Sequence, residues 1–427
     1  MKTLILLVFL LWGSAAFSAN QEYLVKLTPT HGLEALQGLK QMGAYREFDT
    51  SFGRFAVLKT KRDLEFIDIK YLENLEGISY VDENTVYKAL PIKDSEVNLA
   101  NDDPSFKKQW GLKNTGWNGG PLWRLGKKGE DINAEKAWGL TRGRSTIKIA
   151  VIDTGVDYDH PDLKNNILTN EIEFNGTDGV DDDGNGYIDD VYGYDFANND
   201  GDPADGHGHG THCAGVIGAT HNRSGIRGVM GRVKILPIKF LGDNGSGTLE
   251  GAVKAIDYAI KMKVHVMSNS WGGGGANQSL KEAIIAANKA GISFVAAAGN
   301  SNSDNDKKPS YPASYKVENI ISVGSIDGNG KKSWFSNYGK NSVHIFAPGS
   351  DILSTVKGKG YKKMSGTSMA APFVSGAIGL LLTHEKNLTP VEIRDRLVKS
   401  AVRKKALDKY SQSGRLDAFR FLKDLGN

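Results

Sequence analysis

The stretch DGHGHGTHCAG, Asp205 to Gly215, places three histidines close together beside the only cysteine in the chain. Two chemistries suit that spacing. His207, His209 and His212 could ligate a zinc ion that generates a nucleophile, or one histidine could move protons for a nucleophile elsewhere. Two other stretches bear on the choice. Asp153 ends the apolar run IKIAVID where a glycine turn begins, a position that also suits an ordinary helix cap. Ser368 lies in GTSMAAPFVSGAIGLLL, a glycine turn opening a long apolar helix. That position exposes a hydroxyl and aims helix amides at whatever it attacks. Each motif alone is ambiguous, but together they supply the nucleophile, base and orienting carboxylate of acyl transfer. A zinc reading leaves the serine motif without a role.

The elements that must carry these residues can be read from periodicity. From Thr146 onward, the apolar runs IKIAVID, VKILPIKFL, VHVMSNSWG, ISFVAAAGN, IISVGSID and VHIFAPG alternate with helical patterns such as LEGAVKAIDYAIKMK and SLKEAIIAANKAG. Such alternation predicts a doubly wound α/β fold: a mostly parallel sheet with helices on both faces and active groups at the carboxyl ends of its strands. Before it, EYLVKL, FGRFAVLKT and ISYVDENTVYKA read as strands, and GLEALQGLKQMG and DLEFIDIKYLENL as helices, which makes a small α+β unit. The polar stretch PIKDSEVNLANDDP separates the two. RLDAFRFLKDL near the end of the chain is expected to form a docking helix.

Composition narrows the function classes. A formal net charge of +4 over 427 residues, without a dense basic run, argues against nucleic acid. Met1-Lys2, then TLILLVFLLW and the small residues of GSAAFSA, have the order of a secretory signal, and the apolar run is too short for a membrane anchor. The expected organisation is a signal peptide over 1–19, a second segment over 20–100 and a catalytic domain over 101–427, exported and without a membrane anchor. A lone Cys213 excludes an intramolecular disulfide. Cys213 itself reads as a small buried residue.

Four motifs in order, AVIDTGVDYDHPDL, HGHGTHCAG, AAAGN and GTSMAAP, resemble those of the subtilisin-like serine proteases, the subtilases, over roughly Asp103 to Leu425. In the zinc hydrolases with a His-x-His-x-Asp-His cluster, an aspartate stands where this chain has Thr211. The resemblance implies a serine endopeptidase acting on proteins and peptides as a monomer. It assigns Asp153 as orienting carboxylate, His209 as general base, Ser368 as nucleophile and Asn300 of AAAGN as side-chain oxyanion donor. His212 becomes a packing residue and His207 a loop residue. The small α+β unit resembles the inhibitory propeptide of the family, with its tail in the cleft and cleavage expected between Lys88 and Asn101. Pro91 argues against a cut after Leu90.

By position in the same family, an extended peptide would lie between Gly245-Ser246-Gly247 and Ser270-Trp271-Gly272, pairing main chain to main chain. Ser310 would lie near the base of the primary pocket. No acidic residue stands clearly placed to demand a basic side chain, so a broad or apolar preference is expected. Leu249 is placed either beside a second apolar pocket or in the core. In DDDGNGYIDD the residues Asp181, Asp183, Asn185, Gly186 and Asp189 have the spacing of a calcium loop, although Tyr192 stands where an EF-hand would have glutamate. From Asn165 to Gly208 there is no lysine or arginine, so these carboxylates would repel one another without a cation. A second calcium site, at Asp103, Asp162 and Asn222, is implied by family position alone. A non-enzymatic calcium protein on a dead protease fold is disfavoured by the intact set Asp153, His209, Asn300 and Ser368.

Overall fold

Apolar runs rich in β-branched residues become strands, and the 3.6-residue patterns become helices. The computed structural model describes residues 21–30, 32–90, 93–96, 105–116 and 126–426. The signal segment and Asp103 lie outside them, as does half of the expected cleavage region. The chain divides into two compact units, the smaller ending at Asn84 and the larger beginning at Thr85, with Thr50–Phe52 also grouped in the larger.

The smaller unit contains β1 (Gln21–Leu27), α1 (Leu33–Met42), β2 (Ala44–Thr50), β3 (Gly53–Thr60), α2 (Phe66–Glu73) and β4 (Ile78–Glu83). Its sheet has the order β2-β3-β1-β4, with β1 antiparallel to both β3 and β4. Val25, Leu27, Leu39, Ala56, Leu58 and Leu72 form its core. Complete burial of each large aliphatic side chain contributes about 1.5–3 kcal/mol before the cost of ordering the chain. Strand β2 has no signature in the sequence. It is the edge strand and none of its residues is buried, so no apolar alternation marks it.

The larger unit opens with β5 (Val86–Ala89) and β6 (Lys93–Glu96), followed by α3 (Ala134–Trp138), β7 (Gly143–Asp153), α4 (Glu171–Phe174), β8 (Tyr194–Asp195), α5 (His209–Gly218) and β9 (Arg232–Lys239). Next come β10 (Ser246–Thr248), α6 (Leu249–Lys261), β11 (Val266–Asn269), β12 (Trp271–Gly272), α7 (Gln278–Lys289), β13 (Ser293–Ala297) and β14 (Ile320–Ile326). β15 (Ile345–Pro348), β16 (Ile352–Val356), β17 (Gly360–Ser365), α8 (Thr367–His384), α9 (Pro390–Ser400) and α10 (Ala418–Leu422) complete it. The run ISYVDENTVYKA is therefore two strands, and the second, β5, belongs to the larger unit. VHVMSNSWG likewise divides into β11 and β12.

The central sheet has seven strands in the order β15-β14-β13-β11-β7-β9-β8, and the registered pairs are parallel. The chain moves from β7 to β9 in one direction and then returns past β7 to β11. Right-handed crossovers in opposite directions put α5 on one face and α6 with α7 on the other. The strand order reverses between β7 and β11, so their carboxyl ends open a crevice there. Helix α8 packs against α5 and beneath β7, β11, β13 and β14. Its length and composition would suit a membrane span, yet every residue from Thr367 to Leu381 is buried in the protein. A largely apolar helix buried on every side is a core element.

Candidate active site

Asp153 is the last residue of β7, at the reversal of strand order, and it is fully buried. Its Oδ1 accepts from the backbone N of Thr154 at 2.8 Å and lies 2.7 Å from Nδ1 of His209. His209 is the first residue of α5 and is also fully buried. The next residue, Gly210, has no side chain because α5 passes directly over the Gly155 carbonyl and Asp153, where a Cβ would clash. Asp205 supports this junction. Its carboxylate accepts from the Thr154 hydroxyl, the amides of His207, Gly208 and Thr211, and the Thr211 hydroxyl at 2.6–2.9 Å. Asp205 stands at the head of DGHGHGTHCAG, but nothing local marks its role, because its partners assemble only when β7 and α5 meet.

Ser368 is the second residue of α8 and is fully buried. Its hydroxyl donates to the Ser270 carbonyl at 3.0 Å, and the Ser270 hydroxyl donates back to the Ser368 carbonyl at 2.8 Å. One turn beyond His209, the thiol of Cys213 lies 3.5 Å from the Ser368 carbonyl, linking the two helices that carry the histidine and the serine. Burial, aided by the nearby negative charge of Asp153, pushes the Cys213 thiol well up, so it stays protonated as a packing residue. The three histidines do not form a metal cluster among the described residues. Nε2 of His212 is turned to the carbonyls of Ile352 and Lys362, at 2.9 and 3.1 Å.

Asn300 follows Gly299, just beyond β13. Its side-chain carbonyl accepts from both the amide and the hydroxyl of Thr367, each at 2.9 Å, and Thr367 Oγ1 also takes the Gly299 amide. The Asn300 amide group is thereby turned outward, where it donates to the backbone carbonyl of Leu90. A Cβ on Gly366 would sit 2.7 Å from that carbonyl oxygen, 3.3 Å from Asn300 Nδ2 and 3.6 Å from the Ser368 amide nitrogen. The glycine therefore leaves open the space in which amide donors converge on a carbonyl. Only its place next to the serine hints at Thr367 in the sequence.

Leu90 ends an extended segment held on both sides. Strand β5 is antiparallel to β10, with Ser246 opposite Lys88 and Gly247 opposite Tyr87. It is also antiparallel to β12, with Trp271 opposite Ala89 and Gly272 opposite Lys88. The Ala89 amide donates to the Gly245 carbonyl, and the Leu249 amide to the Thr85 carbonyl, both at 2.9 Å. Leu249 itself is buried in the core. A Cβ on Gly272 would meet the Leu90 side chain at 3.3 Å, and one on Gly299 would meet Ser310 Oγ at 3.1 Å. Gly245, Ser246, Gly247, Trp271 and Gly272 therefore lie along this segment, and Ser310 lies beside Gly299.

The acidic loop is built differently. Carboxylates of Asp181 and Asp183 converge with that of Glu173, all within 4.8 Å of one another. Glu173, on α4, is not among the expected ligands because it precedes the spaced motif. Asn185 donates its amide group to Asp183 and Asp190, and the Asp189 carboxylate accepts from the Gly179 amide. Burial raises Asp190 to about 6 despite donors from Tyr258, Asn185 and Asn170. Tyr192 stacks on Tyr158 at 4.8 Å. At the other expected site, Asp162 is buried and accepts from Asn222, the Ile226 amide and the Tyr361 hydroxyl.

Comparison with known proteins agrees with the motifs. Residues 144–420 match the sequence model of the subtilase family. The chain is 35% identical to a thermophilic serine proteinase of Bacillus sp. (strain AK1) over 389 residues, covering 90% of this chain and 83% of that protein. It is 38% identical to thermitase of Thermoactinomyces vulgaris, covering 68% of this chain and 93% of the relative. It is also 41% identical to the major intracellular serine protease of Bacillus subtilis (strain 168), covering 60% and 74% respectively.

Proposed function

The chain belongs to the subtilase family of serine endopeptidases, and we propose that it is an exported, calcium-stabilised member made as a self-inhibited precursor, with Asp153, His209, Ser368 and Asn300 as its catalytic set. The observation that carries this reading is the Leu90 carbonyl. It accepts from Asn300 beside Ser368, while the preceding residues pair as the middle strand of the cleft.

In the proposed reaction, Nε2 of His209 takes the Ser368 hydroxyl proton as Oγ attacks the substrate carbonyl carbon. The charge that develops on the carbonyl oxygen is met by Asn300 Nδ2 and the Ser368 amide. Asp153 holds the imidazole by its Nδ1 and stabilises it while it is charged. His209 then gives its proton to the departing amine, and water hydrolyses the acyl-enzyme through the same base. Because Leu90 is followed by Pro91, whose ring crowds the nitrogen of that bond, a cut after Leu90 is disfavoured, which supports an inhibitory role for the segment. Export rests on the N-terminal composition, and two relatives carry the word intracellular in their names. Glu173, Asp181 and Asp183 would hold calcium, which would supply charge neutralisation and stability. Asp103, Asp162 and Asn222 are proposed as a second set.

A serine-directed fluorophosphonate tests the reading. Mature protein should give one adduct, mapped to Ser368, and should retain its initial rate with a zinc-selective chelator. Failure to label correctly folded, mature protein, or loss of rate on zinc removal, would overturn it.

A further inference from the structure

The segment in the cleft also carries a side-chain message. Counting back from Leu90, whose carbonyl meets Asn300, the fourth residue is Tyr87, and it is fully buried, whereas its neighbours Val86 and Lys88 are exposed. Discrimination along this strand is therefore concentrated where Tyr87 and Leu90 enter the protein. The Tyr87 ring stands edge-on to Trp271, with centroids 5.2 Å apart and planes at 75°. Trp271 is fully buried and in turn braced by Phe240 at 4.9 Å. Gly274 lies beside the ring: a Cβ there would be in van der Waals contact with its Cζ, at 3.5 Å.

The hydroxyl of Tyr87 donates to the side-chain carbonyl of Asn277 at 2.7 Å, in a contact buried on both sides. Asn277 is the residue preceding α7, and its main chain is anchored by Tyr315. The Asn277 amide donates to the Tyr315 hydroxyl at 2.8 Å, and that hydroxyl lies 2.9 Å from the Asn277 carbonyl. The main chain that carries the acceptor is thus held by the fold, independently of the tyrosine it receives. A phenylalanine would fill the same aromatic space but leave the acceptor with only the longer contact from the Thr85 hydroxyl, at 3.4 Å, in a site closed to water.

On the proposed reading of the cleft, we infer that this enzyme selects substrates with tyrosine as the fourth residue on the amino side of the cleaved bond, and that Asn277 makes the distinction from phenylalanine. Apolar contact alone would treat the two rings nearly alike. The hydroxyl contact should separate them by roughly five- to tenfold in kcat/KM, the scale of one buried neutral hydrogen bond.

The test uses mature enzyme and internally quenched peptides that differ only in tyrosine, phenylalanine or leucine at that position, with leucine before the scissile bond. Unfolded casein serves as a general substrate. Tyrosine should exceed phenylalanine by five- to tenfold. In Asn277→Ala the ratio should fall to about one, and in Asn277→Asp, which keeps an acceptor, the preference should persist. Equal kcat/KM for the two aromatic peptides in the unmodified enzyme, with casein still cleaved, overturns the inference even if the variants fail to fold. Failure of folded enzyme to cleave either the peptides or casein instead overturns the protease reading.

Discussion

The catalytic centre and the acidic loop both gather ionisable groups, but they are held by different means. Around Asp153 and His209, side chains are buried and their orientation comes from strand ends, helix starts and neighbours such as Asp205 and Thr367. Around Asp181 and Asp183, carboxylates are partly open to water and converge on Glu173, and the segment 165–208 contributes no lysine or arginine of its own. The contrast separates two ways of paying for order. Packing alone preorganises the first region, whereas for the second the proposal is that a bound cation offsets the repulsion.

The largest expected effects probe the first region. Ser368→Ala should lower kcat by about a million-fold, with KM far less affected and the precursor left uncut. Asn300→Ala should lower kcat by about 100- to 1,000-fold. Both magnitudes are those characteristic of the subtilase family as a whole. Thr367→Val keeps the shape but removes the hydroxyl that turns the Asn300 amide, so a loss of roughly tenfold in kcat is expected, with no further loss once Asn300 is also removed. If the double variant Thr367→Val/Asn300→Ala showed the two losses multiplied, the brace would be acting elsewhere.

The second region should respond to chelation instead. Removing calcium should lower Tm by several degrees and hasten autolysis while leaving the initial rate at low temperature within about twofold, because binding to the folded state is what stabilises it. A melting curve unchanged after complete removal would end the calcium proposal. An equal fall in rate and stability would erase the contrast between the regions.

Acid gives the smallest expected effect. Burial lowers His221, packed against Trp138, and His344 to about 4 each, whereas an unfolded histidine titrates near 6.5. Between these values the unfolded chain takes up protons that the folded chain refuses. The stability these residues contribute is therefore complete above about pH 6.5 and falls as pH drops toward 4. Melting in excess calcium should decline by a few degrees across that window, and His344→Asn should flatten the decline.

Much of the active site was legible without coordinates. Asp153, His209 and Ser368 follow or open apolar elements whose period identifies them, and AAAGN and GTSMAAP are local motifs. Each of the six expected runs contributes a strand to one sheet, although the end of VHVMSNSWG leaves it as β12, because a run of buried β-branched residues declares itself within a few positions. Edge strand β2 and the division of ISYVDENTVYKA were not legible: neither has a buried face distinguishable from its neighbours by period.

Residue type, local period and motif order, all short-range properties, determined the fold class and pointed to the proposed catalytic set. Tertiary structure decided which groups face one another. It joined Thr367 to Asn300, Glu173 to the spaced aspartates and Tyr87 to Asn277, a pair 190 positions apart. Such partners leave no local trace because a hydrogen bond depends on distance and direction in space, and those are set only when strands from distant parts of the chain are packed into one sheet.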